Sequence, residues 1–318
     1  MGVTTALEGL SSCSGCEIAI LNLGEALIPL LIEQLDIVHA PIVMDHKYYG
    51  QCGDKGKQLQ IPEAVIGIVS GGVSNDEQVE VLKEMRKKCK VLVALGTCAT
   101  QGGIPALMNG QNAKESFGAI YQSSSTDPGA GRPDRIVPKL LDRTYALDEK
   151  VEIDLQLPGC PPNPEHIGEV IMSVLENREP VLPTRSVCDT CPTRRQGKGV
   201  VNTVKRFVDN VEFDPNKPTS DMRCLLEQGF MCMGPVTLAG CAKRGVPACI
   251  EARVPCRGCF GSVRPKGNQL LDMMNALASN GIDFTSVVDR RSIQRFCGAH
   301  GNLRPKKELT VKKEMHNG

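Results

Sequence analysis

The feature that most constrains this chain is the number and grouping of its cysteines. The 318-residue sequence contains 15 Cys, and most of them stand near another Cys or beside a glycine. An odd number of thiols cannot all pair as disulfides, and a chain of this length can bury an apolar core without disulfide staples. Clustered thiols in such a protein usually bind metals or perform redox chemistry, and they stay reduced in the cytoplasm. We therefore expect a cytoplasmic metal-binding or redox protein.

Charge and composition argue against several other classes of protein. The chain has 37 Lys and Arg against 36 Asp and Glu, and aromatic residues make up only 3%, so we expect no nucleic-acid partner. The longest apolar stretch, residues 18–35, is interrupted by Asn22, Glu25, Pro29 and Glu33, so we expect no integral membrane segment. The first residues also lack the pattern of a secretory signal.

Residues 1–185 show the alternation of strands and helices that is typical of an α/β domain. Apolar runs predict strands at 36–44, 64–70, 91–95 and 154–157. Helices are predicted at 17–34, where Pro29 should kink the helix or end it early, and at 77–88 and 163–177. This alternation indicates a parallel sheet with helical crossovers. The polar segment 105–150 is interpreted as a long surface insertion between strands.

A first group of cysteines follows the predicted strands of this domain. It consists of Cys13, Cys16, Cys98 and Cys160. Cys98 and Cys160 each sit just after a predicted strand, and Cys13 follows a further strand candidate, the short segment 3–10. Sites in parallel sheets gather at the carboxyl ends of the strands, so these thiols converge if the strand ends are neighbours. Four thiolates could hold zinc or an iron–sulfur cluster. One C-x-x-C pair with two distant single cysteines is more typical of a cluster.

Residues 186–318 are predicted to form a second domain that metal, rather than a large apolar core, organises. The second group of cysteines is Cys188, Cys191, Cys224 and Cys232, and the third group is Cys241, Cys249, Cys256 and Cys259. A zinc-binding interaction module stays an alternative, because two C-x-x-C pairs occur here, although the segment between them is far longer than usual. Residues 269–281 predict a helix, and residues 304–318 form a basic tail. Cys52, Cys89 and Cys297 receive no role.

Taken together, the cysteine motifs resemble the small subunit of nickel–iron hydrogenases. The resemblance is carried by residues 13–16 (CSGC), 96–105 (GTCATQGGIP), 158–162 (PGCPP), 229–235 (GFMCMGP) and 255–261 (PCRGCFG). It is greatest to the cytoplasmic (group 3), methyl-viologen-reducing type that is linked to heterodisulfide reductase. The resemblance covers residues 10–265.

The resemblance implies a flavodoxin-like N-terminal domain with a parallel sheet and an irregular C-terminal domain that binds iron–sulfur clusters. It implies three 4Fe–4S clusters: a proximal one on Cys13, Cys16, Cys98 and Cys160, a medial one on Cys241, Cys249, Cys256 and Cys259, and a distal one on Cys188, Cys191, Cys224 and Cys232. The nickel–iron centre would lie in a separate large subunit, so this chain would hold no catalytic residue. Electrons would pass on to a flavin- or ferredoxin-type partner.

Two positions bear on how far the resemblance extends. Ser70 stands where the family has an acidic residue after the second strand, which puts a tuning role of that carboxylate in doubt, and Glu17 is interpreted as a carboxylate at a helix N-terminus. A cluster-bearing subunit of an NADH dehydrogenase-like complex is the competing class. That relative keeps only the proximal-type site and uses adjacent cysteines, whereas this sequence has no Cys-Cys pair and has a second domain.

Overall fold

The structure is a computed structural model of the chain. It describes residues 2–44, 59–124, 126, 131–133, 135, 137–197, 201, 203–204, 210–243, 245–264, 267–288 and 293–300. Cys52 and the basic tail 304–318 lie outside the described residues.

Parallel strands form the centre of the N-terminal part. The described strands are β1 (Val3–Gly9), β2 (Leu35–His39), β3 (Ala64–Ser70), β4 (Val73–Asn75), β5 (Cys89–Leu95), β6 (Leu140–Tyr145), β7 (Leu155–Leu157), β8 (Ala242–Lys243) and β9 (Val246–Pro247). Five of them make one sheet in the order β2-β1-β3-β5-β7, and each neighbouring pair is parallel. This is the strand order of flavodoxin-like folds, which confirms the predicted fold class.

Helices pack against the sheet in the N-terminal part and connect the cysteine loops in the C-terminal part. They are α1 (Gly15–Leu21), α2 (Leu27–Pro29), α3 (Asp76–Lys88), α4 (Thr97–Gln101), α5 (Ala113–Tyr121), α6 (Pro164–Leu175), α7 (Val187–Thr190), α8 (Ala248–Glu251) and α9 (Gln269–Ser279). Asn75 caps α3 and Asn163 caps α6, each accepting a hydrogen bond from a backbone N–H in the first turn. These local signals explain why the sequence located both helices correctly.

The predicted single helix at 17–34 is wrong in its continuity. Helix α1 ends at Leu21, and Gly24, at a positive φ of 63°, begins a 3-10 turn that leads into α2 and then a π-helical segment, Leu30–Gln34. Gly15–Leu21 and Gly24–Gln34 are bent by 83° against each other. Within the described ranges no single helix is long and apolar enough to cross a membrane, whereas this bent pair passes the length and composition test.

Residues 105–150 lie between β5 and β7, as expected of an insertion, and most of the described residues are at least partly exposed, but the segment is not a simple surface loop. It contains a 3-10 helix, Pro105–Gly110, followed by α5 and β6, and β6 pairs antiparallel with β4. The buried Asn109 side chain accepts a hydrogen bond from the Thr144 N–H at 2.8 Å and donates to the Thr144 carbonyl at 2.8 Å. Leu147 is completely buried in the core beside α3. These contacts are long-range, so the polar composition alone did not reveal them.

The apolar core has separate parts on the two sides of the sheet and in the C-terminal part. One side packs α3 against β1, β3 and β5, and the other packs α6 and Ala19 against the same strands. In the C-terminal part, α9 contributes Met273 and Leu277 to a cluster that also contains Cys232 and Cys256. The C-terminal part therefore has an apolar cluster beside its thiols, and its organisation by metal stays a prediction. The boundary between residues 185 and 186 stays a prediction.

Candidate functional site

The first group of cysteines lies along the carboxyl edge of the sheet. Cys13 follows β1, Cys98 follows β5 and Cys160 follows β7, while Cys16 lies in the first turn of α1. Because β1, β3, β5 and β7 are consecutive neighbours, their ends bring these four thiols to one place. The Cys16 thiol interacts electrostatically with those of Cys13, Cys98 and Cys160.

Burial dominates the protonation of the thiols of Cys16, Cys98 and Cys160. Desolvation raises the pKa of Cys16 far above its ordinary value, with Glu17 adding to the effect, and burial raises the pKa of Cys98 to about 11. Burial also raises the pKa of Cys160. Thiols of this kind are neutral at physiological pH unless a cation binds them, and a coordinating metal removes the proton. The chemistry of the group therefore fits an iron–sulfur cluster, which is bound by thiolates.

Gly96 makes room for the first group. It has a φ of 88°, which side chains rarely adopt, and a Cβ atom at this position would collide with the Cys16 Sγ. The glycine before the Thr-Cys pair is therefore required both by the turn from β5 into α4 and by the close approach of the Cys16 thiol.

At the end of β3, in the middle of this edge, stands Ser70. Its hydroxyl donates a hydrogen bond to the Glu17 carboxylate. The other Glu17 oxygen, Oε2, is buried with no hydrogen-bond partner among the described residues. Glu17 thus lies in the first turn of α1, as expected, and also brings a carboxylate to the strand end where the family has an acidic residue.

The second group is assembled from short segments in the C-terminal part. Cys188 lies in α7, which Ser186 caps, and Cys191 ends that helix. The backbone of Arg194 pairs with Met222 and Cys224, at 2.9 and 2.8 Å, which brings Cys224 to the Cys191 segment. The Cys188 thiol interacts electrostatically with those of Cys191 and Cys224, and the Cys232 thiol with those of Cys188 and Cys224. Burial raises the pKa of Cys232 to about 12.

Arg195 is the basic residue that contacts the second group. Burial raises the pKa of Cys188 to about 11, while the Arg195 guanidinium, which hydrogen-bonds the Cys188 thiol, opposes this rise. The pKa of Arg195 is in turn raised, first by Cys188 and also by Cys224. Sequence reasoning missed this residue. Its place four positions after Cys191 was visible, but nothing local showed that its side chain turns back toward the thiols.

The third group lies between the other two. The strands β8 and β9 form a hairpin that connects Cys241 to Cys249, and Cys256 and Cys259 follow α8. Their thiols form a connected set, because Cys259 interacts with Cys241 and Cys249, and Cys256 interacts with Cys249 and Cys259. Burial raises the pKa of Cys259 to about 12.

Two contacts connect the third group to its neighbours. The Cys259 thiol interacts electrostatically with that of Cys160 in the first group. The Cys256 thiol interacts with that of Cys232 in the second group, and the Cys256 N–H donates a hydrogen bond to the Cys232 Sγ at 3.4 Å. The spatial order is therefore first, third, second, although the order along the chain is first, second, third.

Other candidate residues stay outside these groups. Cys89 and Cys297 are buried free thiols, and Cys297 donates a hydrogen bond to the Ile293 carbonyl at 3.3 Å. Burial raises the pKa of Cys89 to about 11 and that of Cys297 to about 12. His166 lies in the first turn of α6, where burial lowers its pKa. Within the described part of the chain, no three His, Cys, Asp or Glu side chains lie close enough to hold a single metal ion.

Comparison with known proteins decides the family. The family described as NADH ubiquinone oxidoreductase, 20 Kd subunit, matches residues 13–174. A subunit of the F420-non-reducing hydrogenase vhu of Methanocaldococcus jannaschii is 34% identical to this chain, over 91% of this chain and 92% of its own length. The iron-sulfur subunit of the F420-non-reducing hydrogenase of Archaeoglobus profundus is 34% identical, over 88% of each chain. The chain belongs to the nickel–iron hydrogenase small-subunit family.

A solved structure agrees with this assignment. A chain of an NAD+-reducing NiFe-hydrogenase in the H2-reduced state superposes with a TM-score of 0.51 at 29% identity, over 57% of this chain and 96% of that one. The family resemblance of the cysteine motifs is thus confirmed, and the chain is an electron-transfer subunit of a heteromeric hydrogenase complex, an oxidoreductase. Small subunits of this family carry iron–sulfur clusters and pair with a large nickel–iron subunit.

Proposed function

We propose that this chain conducts electrons between the nickel–iron centre of a separate large subunit and a flavin- or ferredoxin-type partner, through three 4Fe–4S clusters. The first group would bind the proximal cluster, the third group the medial one and the second group the distal one. The observation that carries the proposal is the spatial order of the thiols, since Cys160 approaches Cys259 and Cys256 approaches Cys232. This order supports a single path from one end of the chain's cysteine sites to the other.

When bound, the clusters would supply reversible one-electron transfer. The residues of this chain hold the thiolates apart, keep water away and adjust the charge around them. The backbone N–H of Gly234 donates to the Cys232 thiol, and a Cβ atom at Gly234 would stand 3.0 Å from the Cys188 Sγ. Chain packing thus places backbone dipoles, rather than side-chain bulk, against the thiols of the second group.

The surface around the first group is suited to cover by the large subunit. Cys13 and Cys160 are exposed in the isolated chain. Beside them, α1 and the following segment expose Ile18 at 55% and Ile32 at 77%, and Ile104, whose backbone bonds the Cys98 thiol, is exposed at 45%. Exposed apolar residues around a redox site indicate a protein interface. A docked large subunit would shield the first group from water.

The partner at the other end and the compartment remain predictions from the family resemblance. Arg195 places a positive charge at the second group, which favours a partner with an anionic docking surface. The 15 cysteines favour the cytoplasm, because thiols are kept reduced there. Heterodisulfide reductase, deazaflavin, NAD(P) and ferredoxin are all acceptor systems that this arrangement could serve.

Native purification with metal analysis tests the proposal. We expect about twelve iron atoms and as many sulfides on this chain, together with a nickel-bearing partner. About four iron atoms and no nickel partner would instead indicate the NADH dehydrogenase-like alternative. Zinc without iron would indicate the interaction module.

The docking surface has its own test with a matched control. Ile32→Glu places a charge within the proposed interface, whereas Val181→Glu places one at a residue that is 80% exposed and lies after α6. We expect Ile32→Glu to reduce the amount of large subunit that co-purifies, because burying an unpaired charge is costly. Equal co-purification of both variants would refute the assignment of this surface.

A further inference from the structure

A single hydroxyl lies between the first and third groups. Thr97, the residue before Cys98, is 1% exposed. Its Oγ1 accepts a hydrogen bond from the Gly159 N–H at 2.9 Å and donates one to the Cys259 carbonyl. One side chain therefore joins the backbone of the Cys160 loop to the backbone of Cys259, across the contact between the N-terminal and C-terminal parts of the chain.

The two partners of this hydroxyl have little freedom of their own. Gly159 has a φ of 148°, and a Cβ atom there would collide with Pro162, so the Cys160 loop is tightly folded. On the other side, the buried Gln269 side chain donates hydrogen bonds to the carbonyls of Gly258 and Gly261, at 3.3 and 2.9 Å, on either side of Cys259. Thr97 thus connects two loops, each of which is also fixed by contacts of its own.

We propose that Thr97 is a positioning residue that sets the separation and relative orientation of the first and third groups. Because Thr97 is buried, water does not compete for its hydroxyl, and the hydrogen bonds with the Gly159 N–H and the Cys259 carbonyl hold the two loops in a fixed relation. The inference rests on the proposed function only in taking both groups as cluster sites.

The experiment uses the intact complex with three variants. Thr97→Val removes the hydroxyl at nearly constant volume, and Thr97→Ser keeps it. Thr100→Val is the matched control, since Thr100 is also buried in α4 but its hydroxyl donates to the Gly96 carbonyl one turn earlier, not across the two parts of the chain. Iron content is measured first, so that loss of a cluster is seen directly.

Two measurements other than turnover report on the position of the groups. Residue-resolved hydrogen–deuterium exchange follows the Gly159 amide, and electron paramagnetic resonance of the reduced complex follows the magnetic interaction between neighbouring clusters. We expect Thr97→Val to speed exchange at Gly159 by about tenfold or more, because a buried N–H loses its acceptor. We also expect it to change the magnetic interaction, whereas Thr97→Ser and Thr100→Val resemble the unmodified complex.

The possible outcomes separate this inference from the proposed function. If the unmodified complex lacks iron in the first or third group, the proposed function fails before any variant is compared. If Thr97→Val matches Thr100→Val in both measurements, the positioning role is refuted. If Thr97→Val loses iron while Thr97→Ser and Thr100→Val retain it, the hydroxyl is required for assembly, which supports the role. Loss of iron in Thr97→Ser as well would refute it.

Discussion

Arg195 offers the most direct test of how this chain tunes electron transfer. The Arg195 guanidinium hydrogen-bonds the Cys188 thiol and interacts with those of Cys191 and Cys224. A positive charge stabilises the reduced form of a thiolate-bound cluster more than the oxidised form, because the reduced form carries one more negative charge. The Arg195→Gln substitution removes this charge and should therefore lower the reduction potential of the cluster at the second group.

The size of the effect follows from Coulomb's law. Two unit charges about 4 Å apart interact by about 4 kcal/mol at an effective dielectric constant near 20 and by about 1 kcal/mol in water. Arg195 is exposed, so solvent screening favours the lower value. For a one-electron couple a tenfold change in the equilibrium constant is about 59 mV, so we expect the potential to fall by about 20–60 mV.

The assay is a redox titration of the intact complex, followed by electron paramagnetic resonance. Arg194→Gln is the matched control, because it makes the same change of charge at the neighbouring residue, whose guanidinium pairs with Asp221. The reduction potential measured for Arg195→Lys should lie between those of the unmodified complex and Arg195→Gln. Equal potentials in Arg195→Gln and Arg194→Gln, at full iron content, would show that contact with the thiols does not set the potential.

Three further predictions concern the cysteine sites and the C-terminal segment. Cys160→Ser should lose about four iron atoms and uncouple H2 oxidation from dye reduction, while Cys89→Ser, at a buried thiol outside the groups, should keep the full iron content. Normal dye reduction by Cys160→Ser would contradict the proposed path. Gly96→Ala should also reduce iron at the first group, because the new Cβ collides with a thiol and the backbone has a positive φ; unchanged iron content would contradict this. The Asp148 carboxylate, 2.8 Å from the His300 ring nitrogen, raises the pKa of that imidazole. The pair therefore stabilises the folded state fully below about pH 6.5, and this stabilisation is lost as the pH rises through the folded-state pKa. The protection of amides in residues 293–300, measured as exchange rates corrected for the intrinsic pH dependence of amide exchange, should accordingly fall as the pH rises, and His300→Gln should remove that fall.

Local signals in the sequence determined much of the N-terminal fold. Apolar runs predicted β3 and β5, and periodic segments predicted α3 and α6, because strand and helix patterns depend on residues a few positions apart. The break at Gly24 was missed, since an apolar pattern does not show where a glycine takes a positive φ. The packing of residues 105–150 was missed because it depends on β6 pairing with β4.

The sequence by itself also predicts which cysteines belong together, because motif spacing and the positions of strand ends are properties of the chain. The order of the groups, in which the third lies between the first and the second, is implied by the family resemblance, and the contacts between the groups agree with it. The tertiary structure alone decided that Arg195 turns toward the second group and that Thr97 connects Gly159 to Cys259. These contacts join segments far apart in the chain or depend on side-chain direction, and only the packing of the C-terminal part against the sheet brings them about.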